Sequence, residues 1–87
     1  MKLKYDFELT DFMLEVCAVS KQLNECGKKV IVRLGNGTAV RMFSLIQAGC
    51  EIPDIISTML EEYDVEEAVL RKEVEKFVAV LHRDNIV

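Results

Sequence analysis

The chain contains three cysteines and one histidine, the residue types that most often carry nucleophilic or metal chemistry. Cys17, Cys26 and Cys50 are widely spaced, no two of them form a C-x-x-C pair, and His82 is the only histidine. Zinc and iron–sulfur sites need tighter clusters of such ligands. Reactive thiols usually lie at helix N-termini or beside cations, whereas Cys17 falls in a predicted strand and Cys50 in a predicted turn, so a Cys–His pair is a weak alternative. We therefore predict no metal, no cofactor and no enzymatic activity, with reduced thiols in the cytoplasm.

The charges of the chain are segregated along its length. The 87 residues are enough for one domain, and their formal net charge is −4. Residues 51–67 hold seven acidic side chains and no lysine or arginine, whereas basic side chains gather on the predicted third strand and third helix. One interpretation is a solvated surface of mixed sign; the other is a basic site for an acidic or amphipathic partner. No apolar run approaches the roughly 18 residues of a membrane helix.

Three segments have the pattern of β-strands. Residues 3–9 alternate apolar and polar side chains, residues 15–19 form a second apolar run, and residues 28–34 are rich in β-branched side chains. We predict a turn at Thr10–Asp11 and a loop over residues 21–27. Short loops favour an antiparallel meander, in which the third strand lies at an edge with unpaired backbone groups.

Three amphipathic helices follow the strands. Asn36 or Thr38 is predicted to cap the first helix, and Gly49 to end it. Pro53 marks the first turn of the second helix. The third is predicted over about residues 66–83, with a core stripe of Leu70, Val74, Phe77 and Leu81 and a mixed shoulder of Val69, Glu73, Lys76 and Val80. The order βββααα predicts an α+β fold of the winged-helix-turn-helix type, with a three-stranded antiparallel sheet followed by three helices.

Several motifs of the chain resemble the PqqD-like family of precursor peptide recognition domains. They are the helix entry Asn36-Gly37-Thr38-Ala39, the segment from Ile55-Ile56 to Glu61-Glu62-Tyr63-Asp64-Val65, and the third-helix residues Glu73-Val74, Phe77-Val78 and Leu81. The resemblance covers nearly the whole chain, so residues 1–87 are expected to form a single stand-alone domain of this kind. Two residues depart from the family pattern. Gly35 is inserted before the cap, which alters the junction that sets the register of the site, and Cys50 stands where a Ser or Thr helix cap is common.

The resemblance implies binding without catalysis. Members of the family take the leader of a ribosomally made precursor peptide as an extra strand on the third strand, beside the third helix, and present it to a modifying enzyme, often a radical-SAM maturase. Carried over to this chain, the peptide-binding residues are Lys29, Val30, Ile31, Val32, Arg33, Leu34, Val69, Lys72, Glu73, Lys76 and Val80. The implied partners are the leader peptide and the modifying enzyme, with no nucleic acid and no membrane.

Two further interpretations concern the same elements. Winged helices commonly bind DNA, which makes a transcriptional regulator the alternative function. The residues at the start of the third helix, Asp64, Glu66 and Glu67, would however face phosphates with like charge. The free edge strand could also pair with a copy of itself, which would give a homodimer.

Overall fold

Three antiparallel strands form one sheet in the order β1-β2-β3. The structure is a computed structural model that describes all residues from 1 to 87. The strands are β1 (Phe7–Phe12), β2 (Glu15–Leu23) and β3 (Lys29–Gly35). Both outer strands, β1 and β3, are therefore edges of the sheet.

The first hairpin lies further along the chain than the sequence pattern predicts. β1 begins at Phe7, and the turn is formed by Met13 and Leu14 rather than by Thr10 and Asp11. Leu3 and Tyr5 are half-buried side chains of an irregular arm that packs against the core. The N–H of Lys4 anchors this arm (residues 1–6) by donating a hydrogen bond to the carbonyl of Ile86 at 2.9 Å. The alternation of apolar residues in the arm therefore reflects packing against the core and not hydrogen-bonded pairing with another strand.

The second strand is also longer than predicted, because residues 21–23 belong to β2 and not to a loop. The register between β2 and β3 shifts between Val19 and Leu23. The turn that follows is made by Asn24, whose side-chain oxygen accepts from the N–H groups of Cys26 and Lys28 at 2.9 and 3.0 Å. These bonds fix the point at which β3 begins.

The three helices confirm the predicted order. They are α1 (Thr38–Gln47), α2 (Ile52–Glu62) and α3 (Glu67–Arg83). The predicted cap of α1 is wrong, since Gly37 occupies the N-cap position and neither Asn36 nor Thr38 makes a side-chain capping bond. Gly49 ends the first helical segment with a φ of 93°, a conformation that costs glycine little.

One core of 15 apolar residues lies between the inner face of the sheet and the helices. Phe43 is fully buried at its centre and meets Phe7 of β1 edge to face, with the ring centroids 5.3 Å apart. The predicted core stripe of α3 differs at one position. Phe77, which the sequence places in the stripe, is only half-buried, and its neighbour Val78 is buried in the core instead. The layout is the predicted three-stranded antiparallel sheet followed by three helices, with the outer face of the sheet uncovered.

Candidate functional site

The backbone groups of β3 point alternately towards β2 and towards solvent. The carbonyl of Lys28 accepts from Asn24, and the N–H of Val30 donates to the hydroxyl of Ser20 at 2.8 Å. Val32 lies opposite Ala18 in the register of the ladder. The even-numbered residues of β3 therefore face β2. By alternation, the N–H and C=O groups of Lys29, Ile31 and Arg33 face the free edge.

The side chains of β3 divide in the same way between the two faces of the sheet. Val30 and Val32 are half-buried on the inner face, and Leu34 is a core residue with 5% exposure, so its side chain offers no surface to a peptide. Lys29, Ile31 and Arg33 lie on the outer face, where Ile31 is 63% exposed. The residues whose backbone faces the edge are thus the ones whose side chains face outwards.

A shallow trough runs along α3 beside the start of α1. It consists of two adjoining depressions of 240 and 220 Å³ that share Thr38, Met42 and Glu73. Of the α3 residues predicted from the sequence to bind peptide, Lys76 and Val80 line the first depression, Val69 lines the second and Glu73 lines both; Lys72 lines neither.

The edge of β3 and the trough are neighbours rather than one groove. No depression is lined by residues of both β3 and α3. The start of α1 connects the edge of β3 to the trough. Gly35 ends β3, and Thr38 and Ala39, which follow it closely in the chain, line the trough. A peptide that used both surfaces would cross this junction.

The other edge, β1, is less suited to accept a strand. The carbonyl of Phe7 accepts from the side chain of Gln47 at 3.0 Å, which occupies one acceptor. Asp6, Glu8 and Asp11 make this edge acidic, whereas β3 is basic. Inward-facing or edge charges are a common device against unwanted pairing. Only the third strand was predicted as an accepting edge, although a three-stranded meander always has two edges.

The outer face of the sheet carries a feature that was not predicted from the sequence. A depression of 600 Å³ is lined mainly by apolar side chains, among them Phe12, Met13 and Ile31. At one end, Arg33 donates to the Glu15 carboxylate at 2.7 Å, and this hydrogen bond raises the pKa of the Arg33 guanidinium. The signal in the sequence that could have indicated this depression was the alternation of Ile31 with the basic residues Lys29 and Arg33.

The residues considered for catalysis are dispersed in the structure. Cys17, Cys26 and Cys50 are free thiols, and no three His, Cys, Asp or Glu side chains are placed to hold a metal ion. His82 is exposed in the last turn of α3. None of the helices combines the length and the apolar character that crossing a membrane requires.

Comparison with known proteins gives one family and one fold relative. The family model described as "Coenzyme PQQ synthesis protein D (PqqD)" matches residues 27–87, which include β3 and all three helices. The structure is similar to that of TbiB1, solved in complex with the TbiA(beta) leader peptide, with a TM-score of 0.68 and 19% sequence identity. The match covers 99% of this chain and 93% of TbiB1, and at that identity it is a likeness of fold. No curated protein sequence matches the chain.

Proposed function

The chain belongs to the PqqD family, and we propose that it binds the leader of a ribosomally synthesised precursor peptide as a fourth strand on the free edge of β3. The observation that carries this proposal is the outward direction of the backbone groups of Lys29, Ile31 and Arg33. A strand added along this edge would pair them, which is the usual source of affinity in β-augmentation. A leader peptide is the ligand of TbiB1, which shares the fold. Residues 1–87 would act as one recognition domain.

The trough along α3 would receive the part of the leader that continues past β3. Its walls are apolar at Met42, Phe77 and Val80, and its charged side chains are Lys76, Glu73 and Asp64. Such a surface suits apolar anchors with polar neighbours. A dissociation constant between micromolar and nanomolar would be ordinary for a site of this size. Lys72, outside the trough, would contribute to the approach of an acidic leader rather than to contact.

The bound leader would then be delivered to a peptide-modifying enzyme, for which a radical-SAM maturase is the proposed partner. The chain would be a binding partner and not a catalyst, acting in the cytoplasm, where the free thiols of Cys17, Cys26 and Cys50 persist. Because an unfilled edge accepts any suitable strand, two copies would also pair through β3 as a homodimer that the leader displaces.

DNA binding is the alternative function of this fold, and the charges of α3 oppose it. Glu66 precedes the helix and Glu67 opens it, after Asp64 in the preceding turn. DNA affinity depends on neutralising phosphates, which these carboxylates would repel. We expect no mobility shift with random duplex DNA at low salt.

Amide exchange measured residue by residue tests strand addition directly. In the free chain, the N–H groups of Val30 and Val32 should exchange slowly and those of Ile31 and Arg33 rapidly, since only the first pair faces β2. On addition of the leader segment of the precursor encoded next to the gene, the amides of Ile31 and Arg33 should become protected. Binding that leaves both amides unprotected would exclude the proposed mode.

A pair of variants at one position isolates the backbone contribution. Ile31→Pro deletes an edge-facing donor, and Ile31→Ala removes the same side chain but keeps the N–H. Proline is tolerated on edge strands when its missing N–H faces solvent. The proline variant should bind the leader at least about tenfold more weakly than the alanine variant, about 1.4 kcal/mol, because it loses a hydrogen bond and its ring obstructs the approaching strand. Equal affinities would contradict strand addition.

A further inference from the structure

The depression on the outer face of the sheet adjoins the edge that the leader is proposed to use. Its apolar lining consists of Cys17, Val19 and Ile31 together with the exposed side chains of Phe12 and Met13. No helix packs on this side of the sheet, since the core lies entirely between the opposite face and α1 to α3. An apolar depression of 600 Å³ is therefore left open to solvent.

Ile31 and Arg33 belong to both features. Their side chains line the depression, and their backbone groups face the free edge of β3. Neighbouring strands lie about 4.8 Å apart, and residues directly opposite each other have their Cβ atoms about 5 Å apart. Every second side chain of an added strand would therefore point outwards beside this row and reach the rim of the depression.

The outward row of β3 has a distinct chemical order, namely Lys29, Ile31 and Arg33. Lys29 forms no ion pair within the chain. Arg33 uses one nitrogen on Glu15, yet its side chain remains 76% exposed. An apolar side chain thus lies between two cations, each two residues away. Cross-strand pairs are favourable when opposite charges or two apolar groups face each other.

We propose that this row selects leaders in which a bulky apolar residue has an acidic residue two positions before it and another two positions after it. The apolar side chain lies against Ile31 at the rim of the outer depression, and the two carboxylates pair with Lys29 and Arg33. This inference rests on the proposed strand addition, and it adds a recognition surface on the face of the sheet opposite α3. Each matched pair should improve the dissociation constant about two- to fivefold.

A second copy fits this row less well than such a leader through either of its edges. If two β3 strands paired antiparallel about Ile31, Lys29 of each copy would lie opposite Arg33 of the other, and like charges directly opposite are unfavourable. The outward side chains of β1 are Glu8, Thr10 and Phe12, which match the required order at one position of three. The segment Asp11–Glu15 does have acidic residues on either side of Met13. However, Met13 and Leu14 have φ angles of 50° and 70°, so this segment is turned and does not extend as a strand.

Selection from a displayed library of random dodecapeptides tests the inference even when the sequence of the natural leader is unknown. The library is panned in parallel on the wild-type chain, on Lys29→Glu and on Lys28→Glu. The last variant makes the same change of net charge one residue away, at a position whose backbone faces β2. Wild type and Lys28→Glu should enrich the acidic–x–apolar–x–acidic order. Peptides selected on Lys29→Glu should carry lysine or arginine in place of one of the two acidic residues.

The outcomes separate this inference from the proposed function. Selected peptides that protect the Ile31 amide but lack the acidic–x–apolar–x–acidic order would overturn the outward-face selection and leave strand addition intact. An identical response of Lys28→Glu and Lys29→Glu would also overturn it, since general electrostatic steering would then explain the enrichment. Failure of every selected peptide to protect the Ile31 amide would refute strand addition itself. Sedimentation of the free chain reports whether a second copy occupies the edge instead, and a dimer that acidic–x–apolar–x–acidic peptides do not dissociate would count against the inference.

Discussion

The buried hydroxyl of Ser20 accepts a hydrogen bond from the backbone N–H of Val30 at 2.8 Å and donates its own proton to the carbonyl of Gln22 at 2.7 Å. Ser20 is fully buried, and it lies where the register between β2 and β3 shifts. A side chain thus replaces a ladder bond at the irregular point of the sheet. Because it holds Val30 towards β2, it also determines that Ile31 faces the free edge.

Ser20→Ala should therefore destabilise the chain. The substitution leaves the N–H of Val30 without its partner in a part-buried position, and an unsatisfied buried group costs about 1–3 kcal/mol. Urea unfolding followed by circular dichroism measures the loss. Ser57→Ala makes the same chemical change on the exposed side of α2 and should be neutral or slightly stabilising, because alanine favours helix. Similar free energies of unfolding for the two variants would show that the Ser20 bond contributes nothing.

Proline substitutions at neighbouring positions of β3 should have unequal effects on folding. Val32→Pro removes a donor that faces β2, so it breaks the ladder of the free protein and should cost about 3 kcal/mol or more. Ile31→Pro removes a donor that faces solvent and should cost much less. Thermal unfolding of the two variants gives the comparison. The opposite order of stabilities would mean that the two sets of backbone groups are exchanged between the edge and the ladder.

The element order could be predicted from the sequence because the helical segments have a clear apolar periodicity, although the alternation over residues 3–9 misplaced the start of the first strand. In α2, Ile55, Ile56 and Met59 recur at helical spacing, and all three are buried in the structure. The capping of α1 could not be predicted in the same way. Asn36 and Thr38 are suitable capping residues, but the backbone path through Gly35, at a φ of 73°, leaves Gly37 at the N-cap.

The candidate site could be predicted as a strand but not as an oriented edge. Alternation divides β3 into two sets of residues, and only the register with β2 decides which set has free backbone groups. That register depends on the shift at Ser20, for which the sequence carries no recognisable pattern. Leu34 illustrates the same limit, since the sequence predicts it as a peptide-binding residue and its side chain is part of the core.

The β1–β2 turn should be open to stabilisation. Met13 and Leu14 both have positive φ angles, and a two-residue hairpin turn of this kind favours Asn-Gly. The left-handed conformation costs a bulky residue about 1–2 kcal/mol, of which the flexibility of glycine in the unfolded chain offsets part. Met13→Asn/Leu14→Gly should therefore raise stability by about 1 kcal/mol, or roughly 4–8 °C in the thermal midpoint.

The matched control for the turn is Met13→Asn/Leu14→Ala. It removes the same exposed apolar surface but keeps a Cβ atom at a φ of 70°. It should gain clearly less than the glycine variant in the same thermal scan. Equal gains would attribute the effect to the removal of exposed apolar side chains and not to relief of backbone strain.

The ion pair between α1 and α2 gives the stability of the chain a specific pH dependence. Arg41 donates two hydrogen bonds to the Glu62 carboxylate at 2.8 and 2.6 Å, and these bonds hold the pKa of Glu62 below its usual value of 4.5. A carboxyl whose pKa is lower in the folded state stabilises the fold above its unfolded pKa. That contribution is lost as the pH falls through the lower, folded value.

Glu62→Gln should consequently flatten the acid side of the stability profile. The variant should be slightly less stable than wild type at pH 7, and the difference should disappear as the pH falls well below 4.5. The effect should be small, since exposed ion pairs contribute little. Urea unfolding at a series of pH values measures it, with Glu61→Gln as the control, because Glu61 is exposed and forms no ion pair. If both variants show the same pH profile, the Arg41–Glu62 pair does not couple protonation to folding, and the contact between α1 and α2 must rest on its apolar residues alone.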